Sequence, residues 1–172
     1  MAAGGSAGHG AGRLARTVQA LLGVALLVIV AVNVVNALGR HLAGAGLVGA
    51  DELMTFTMVW IVMAGAVLAL AARAHIAIGL VPAMLGAGGR RLLALGHDAV
   101  ALAVCLIAAR ASVEYVARLD ALGMTSMALG VPLAPVHAAL PAGYAGLALV
   151  SGWGVIAGLR GLMRPGGSGR PA

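Results

Sequence analysis

The stretch "DELMTFTMVWIVMAGAVLALAAR", from Asp51 to Arg73, contains the feature that decides the fold. Between its charged ends, residues 53–72 carry no charged side chain. A helix of about 20 apolar residues is long enough to cross the hydrocarbon core of a bilayer, which is roughly 30 Å thick. The whole chain is similarly apolar, with 62% hydrophobic residues, 9% charged residues and a mean hydropathy of +1.04. A soluble domain is only about half apolar and a quarter charged. The sequence therefore predicts an integral membrane protein.

Three further apolar segments accompany this one, at about residues 17–39, 92–114 and 136–159. The first follows two arginines, as a signal peptide would, but its uncharged run is longer than a signal core and no clear cleavage site precedes Arg40. We therefore expect an uncleaved span. The prediction is an all-α membrane protein with four transmembrane helices and short connectors.

The four predicted spans form one membrane domain over residues 13–162. The flanking residues, 1–12 and 163–172, are rich in small residues and are expected to be disordered tails. The glycine-rich connector at 44–49 leaves room for a short interfacial segment between the first two helices.

The third segment differs from the others because charged residues interrupt it. Only residues 99–109 lie free of ionisable groups, between Asp98 and Arg110. Eleven residues rise only about 16 Å in a helix, so at least one of these two groups lies near the hydrocarbon core. Ionisable groups at that depth normally face protein or water. We therefore expect the third helix to be the one most enclosed by its neighbours.

Beyond that run, Arg110, Glu114 and Arg118 follow one another at four-residue spacing. Residues at this spacing share a helix face and can pair their charges. We expect a self-neutralised helix end that continues until Gly123.

The arginines are distributed unevenly between the two sides that four spans would define. Both tails and the connector before the third span share one side, which carries most of them: Arg13, Arg16, Arg73, Arg90, Arg91, Arg160, Arg164 and Arg170. The positive-inside rule then places both termini in the cytoplasm.

Asp51 and Glu52 stand at the start of the second span. An N-cap Asp followed by a first-turn Glu would satisfy free amides and complement the helix dipole. Glu52 could also pair with Arg40 across the short connector. Neither acid lies deep enough to indicate a transmembrane proton path by itself.

The sequence contains no nucleophile elbow, metalloprotease motif or phosphate loop, so we expect neither an enzyme nor a bound cofactor or metal. The single cysteine, Cys105, excludes an internal disulfide. Histidines at the span ends (His41 and His137 at one boundary, His75 and His97 at the other) leave open a haem-binding anchor of a respiratory complex. A self-contained channel or carrier is a third hypothesis.

Three local patterns, in order along the chain, are similar to those of a known family. They are "NALGRH" at residues 36–41, the block at 51–78, and "ALGVPLAPVHAALPAGY" at 128–144. Within the block, the matching positions are Glu52-Leu53, Trp60, Gly65, Arg73 and His75-Ile76. Together they resemble the small (Q-type) membrane subunit of tripartite ATP-independent periplasmic (TRAP) transporters. Gly79 departs from the family, which often has an acidic residue there.

The resemblance implies a location, partners and a role. Such a subunit lies in the bacterial inner membrane and assembles with a large multi-span permease subunit, which carries the sodium-coupled solute pathway. A periplasmic substrate-binding protein serves the complex, and the small subunit acts as a non-catalytic scaffold. The resemblance indicates that the residues involved in assembly are Arg40, Glu52, Trp60, Arg73 and His75. The charge pattern of the third segment adds Asp98 and Arg110.

Overall fold

The computed structural model describes residues 6–42, 44, 46–72 and 86–163. Its helices are α1 (Ser6–Leu42), α2 (Ala50–Ala71), α3 (Ala87–Ala121), α4 (Leu133–His137) and α5 (Ala139–Met163). α1, α2, α3 and the α4–α5 unit are each long and apolar enough to cross a membrane. The prediction of an all-α protein with four membrane-spanning helices is confirmed.

Some details differ from the sequence-based expectation. α1 begins at Ser6, so residues 6–12 are helical, whereas we expected them to belong to a disordered tail. At the other terminus, residues 164–172 lie outside the described part of the chain. Among the described residues between α1 and α2, only Val48 and Gly49 form a turn and none is helical; the additional short helix, α4, lies directly before α5 instead.

α5 lies at the centre of the bundle because small residues line the faces that it turns toward α2 and α3. A Cβ atom added at Gly143 would collide with Met63 of α2. On the other side, one added at Gly154 would collide with Asp98 of α3, and one at Gly158 would press against Leu95. These glycines let the helix backbones approach closely, as small residues do in membrane bundles. α1 is peripheral and contacts only α2 among the described helices.

The prediction that the third span is the most enclosed is wrong. Within the most apolar window of each span, 6% of the residues are buried in α3 and 22% in the α4–α5 unit. The physical reason is that α5 packs against both α2 and α3, while α3 turns one face toward α5 and leaves others exposed. Asp98 is half-buried and lies against Gly154.

The end of α3 follows the pattern that the sequence indicated. Gly123 adopts a left-handed conformation with φ 59°. Its N–H donates to the Asp120 carbonyl at 2.9 Å, and the Met124 N–H donates to the Leu119 carbonyl at 3.1 Å. This pair of bonds is a Schellman motif, which satisfies the last carbonyls of a helix. The expected stop at Gly123 is confirmed.

The bundle has two ends, which we name by their charged residues. At the Asp51 end, α1 and α3 finish, and α2 and α5 begin. At the Arg90 end, α3 begins and α5 finishes.

Candidate assembly site

The polar residues at the Asp51 end gather around the first turn of α2. The N-cap of this helix is Gly49, whose φ of 79° is left-handed, and no side chain caps the helix. Asp51 is the second residue of α2, so the prediction that it forms the N-cap is wrong. Both acids still complement the positive end of the helix dipole from inside the first turn.

Asp51 binds the end of α1. Nη2 of Arg40 donates to both carboxylate oxygens of Asp51, at 2.9 and 2.7 Å. Nδ2 of Asn36, one turn earlier on α1, donates to Oδ1 of Asp51 at 3.3 Å. Because the side chains of Arg40 and Asp51 are 56% and 67% exposed, solvent screens their attraction. The ion pair therefore supplies orientation more than stability.

Asn36 is the buried element of this arrangement. It is only 2% exposed, and its Oδ1 accepts the backbone N–H of Leu47 at 2.7 Å. One amide side chain thus joins three segments: α1, the connector and the start of α2. A buried polar group with satisfied hydrogen bonds fixes a single arrangement, because losing a bond leaves an unpaired donor or acceptor.

Glu52 binds a different segment, the loop between α3 and α4. Its Oε1 accepts the N–H groups of Met127 and Ala128 at 2.9 and 3.0 Å, and its Oε2 accepts that of Leu129 at 3.1 Å. Successive backbone N–H groups that converge in this way form an anion-binding concavity. The side chain of Leu129 lies against Gly49, where a Cβ would collide with it. The expectation that Glu52 pairs with Arg40 is wrong, because Arg40 binds Asp51.

The loop that receives Glu52 is closed by its own hydrogen bonds. The Ser126 N–H donates to the Val131 carbonyl at 2.9 Å, and the Val131 N–H donates to Oγ of Ser126 at 3.2 Å. We call Asn36, Arg40, Asp51, Glu52 and the loop at 126–131 the end clasp. Through two neighbouring carboxylates it ties both connecting regions at the Asp51 end, the α1–α2 connector and the loop after α3, to the start of α2. Both carboxylates accept hydrogen bonds from other segments of the chain.

The remaining predicted residues do not join the end clasp. Trp60 is 47% exposed in the middle of α2. Nε of Arg110 donates to Glu114 at 3.1 Å in an exposed pair, as the four-residue spacing predicted. Asp98 lies on the α3–α5 interface. Arg73 and His75 lie outside the described residues.

At the Asp51 end, the histidine geometry does not support the haem alternative; of the pair expected at the other boundary, His75 lies outside the described residues. Nδ1 of His137 donates to the Leu133 carbonyl at 2.9 Å, and its ring packs edge-on against Tyr115 at 5.5 Å. His41 is exposed on α1, which does not contact α4 or α5, so it does not face His137. In the described ranges, no group of three or more His, Cys, Asp or Glu residues is placed to hold a metal ion.

Sequence reasoning missed two components of the end clasp. Asn36 had a detectable signal, because it lies four residues before Arg40 and therefore on the same face of α1. The loop amides at 127–129 had none, since backbone N–H groups leave no signature in the residue types.

The bundle and its end clasp describe a small four-span membrane protein in which the acids at the start of α2 hold the chain's own segments together. The family model of "Tripartite ATP-independent periplasmic transporters, DctQ component" matches residues 26–161. The chain belongs to this family and is a small permease component of a TRAP transporter. It is thus a multi-pass protein of the inner membrane. Among curated proteins, a search finds no match to the chain.

Proposed function

We propose that this chain is the non-catalytic membrane scaffold of a TRAP-type, sodium-coupled uptake transporter for organic solutes. It binds a large permease subunit, which carries the solute pathway, and a periplasmic substrate-binding protein serves the complex. The observation that supports this proposal most is the family match combined with the end clasp, in which the acids at the start of α2 bind the chain's own segments. These polar side chains thereby hold the segments of the chain in position.

The scaffold role also agrees with how the helices are packed. α2 and α3 each pack against α5, while α1 contacts α2 alone and has no buried residue in its most apolar window. Large side chains such as Leu27 and Val35, 69% and 60% exposed, cover α1 with apolar surface. In a membrane such a surface faces lipid or another subunit. The end clasp fixes the direction of α1, and it thereby sets where the apolar surface of α1 lies relative to the partner.

Trp60 is the residue for which a direct partner contact is best motivated. Tryptophan normally favours the membrane–water interface, yet Trp60 is half-exposed at the midpoint of α2. A neighbouring subunit at that depth would give its ring a packed environment. Arg40 and Glu52 act on assembly indirectly, by positioning α1 and the loop at 126–131. Arg73, His75, Asp98 and Arg110 remain proposed contact residues.

We further propose that both termini lie in the cytoplasm. The Arg90 end carries Arg16, Arg90, Arg91 and Arg160, which the positive-inside rule assigns to the cytoplasmic side. Single cysteines in a Cys105→Ser background test this, at Met127 and Met163, both of which are exposed. In intact spheroplasts, a membrane-impermeant maleimide should label Met127→Cys and spare Met163→Cys. The reverse labelling would contradict the proposed orientation.

Co-purification with the large permease subunit tests the scaffold role. Glu52→Ala releases the loop amides and should lower the recovery of an intact complex from the membrane. Asp120→Ala is the matched control, since it removes an exposed acid from the same end of the bundle. Undiminished complex together with normal uptake in the Glu52→Ala variant would refute the link between the end clasp and assembly.

A further inference from the structure

An apolar groove runs between α3 and α5 on the surface of the bundle. Its volume is about 570 Å³, and it is open along the surface of the bundle. Leu102 and Leu106 form the α3 wall, and Trp153 and Ile156 form part of the α5 wall. Gly152 lies between the two walls, where a Cβ would come within 3.8 Å of Leu102. The groove is therefore long and apolar, and it opens toward the membrane.

Two arginines continue the walls of this groove toward the Arg90 end. Arg160 follows Ile156 by four residues on α5. Arg91 precedes Leu102 by eleven residues on α3, which is about three helical turns and returns to the same face. Both arginines are exposed. In the described part of the chain, no acidic side chain forms an ion pair with either of them.

The packing register places these two arginines at the same depth. α3 and α5 are antiparallel, with Leu102 against Gly152 and Leu95 against Gly158. One further turn along α3 brings Arg91 roughly level with residue 162, within about one turn of Arg160. The first turn of α3 contains no acidic residue, so the positive end of the α3 dipole adds to the positive potential of the two arginines.

We propose that the groove binds an anionic phospholipid, with its phosphate between Arg91 and Arg160 and an acyl chain along Leu102, Gly152 and Ile156. The charges favour this occupant over a partner helix, because an apolar helix in the groove would leave two guanidinium groups without an anion. Basic pockets between transmembrane helices bind anionic head groups in this manner.

The dimensions of the groove agree with a lipid. From Arg160 to Ala145, the lining residue of α5 farthest from it, the helix rises about 22 Å. Half of the hydrocarbon core is about 15 Å, which is the depth that one leaflet's acyl chains cover. The two arginines and the apolar walls thus follow one another in the order of a phospholipid, and the walls are long enough for the acyl chain of one leaflet. The site does not depend on the scaffold role.

Native mass spectrometry of the full-length chain in detergent, titrated separately with phosphatidylglycerol and phosphatidylcholine, tests the site. We expect preferential retention of phosphatidylglycerol. Juxtamembrane basic residues contribute about a fivefold effect each, so Arg91→Gln combined with Arg160→Gln should weaken binding by about 30-fold. Arg118→Gln, an exposed arginine near the Asp51 end, is the control and should leave binding unchanged. Glycerol phosphate, which lacks acyl chains, should not compete.

A second variant separates the apolar groove from the charges. Gly152→Leu fills the groove and should abolish retention of phosphatidylglycerol although both arginines remain. Gly65→Leu on α2, where the backbone faces open space, is its control. Equal retention of the two lipids by the unaltered chain, or full retention by the double arginine variant, would overturn the proposal. Stoichiometric release of the lipid on adding the large permease subunit would also overturn it, since the groove would then belong to the partner.

Discussion

Asn36→Ala is the sharpest test of the end clasp, because this side chain is 2% exposed and holds three segments together. The substitution removes a 2.7 Å bond from the Leu47 N–H and a longer 3.3 Å bond to Asp51. Leaving one donor unpaired costs about 1–3 kcal/mol. Leu47 itself is 58% exposed, so water can partly reach its N–H once the connector loosens. We therefore expect a loss of about 1–2 kcal/mol in the free energy of unfolding.

Two measurements check this value. Denaturant unfolding of the purified chain in mixed micelles gives the change in free energy, and hydrogen exchange gives the protection of the Leu47 amide. Asn33→Ala is the matched control, since Asn33 is exposed one turn earlier on α1. If Asn36→Ala and Asn33→Ala were equally stable and the Leu47 amide kept its protection, the assignment of Asn36 as the buried link would be refuted.

Two further predictions concern the loop and the helix interface. Glu52→Ala should speed hydrogen exchange at the amides of residues 127–129, because they lose their carboxylate acceptor. Thr55→Ala, one turn further along α2, is the control and should leave this exchange unchanged. Unchanged exchange in Glu52→Ala would contradict the assigned bonds. Gly154→Ala places a methyl group on the Asp98 carboxylate and should destabilise the bundle by about 1–3 kcal/mol, as overpacking does. Gly161→Ala faces open space and should have almost no effect, so equal unfolding curves for the two alanine variants would argue against close α3–α5 packing.

The number and type of the membrane spans were predictable because spans are decided by a local property. An uncharged run such as residues 53–72 needs no knowledge of its neighbours to be recognised. The stop of α3 was equally local, since Gly123 supplies the left-handed residue of a Schellman motif.

Packing and pairing depended on information that the residue types do not carry. The most enclosed helix was misassigned to α3 because the charges of Asp98 and Arg110 were weighed more heavily than the small residues of α5. The choice between Asp51 and Glu52 as partner of Arg40 depends on the rotation of α2 relative to α1, which the residue types do not specify. The binding of Glu52 to backbone amides followed only from the conformation of a distant loop.

Reconstitution into liposomes tests the scaffold account most directly. Solute uptake driven by a sodium gradient should be measured with this chain alone, with the large permease subunit alone, and with both, each in the presence of the substrate-binding protein. A scaffold without a solute pathway of its own gives no uptake with this chain alone, and we expect the highest uptake with both membrane subunits together. Sodium-driven uptake in liposomes that contain this chain without the large permease subunit would contradict the scaffold account.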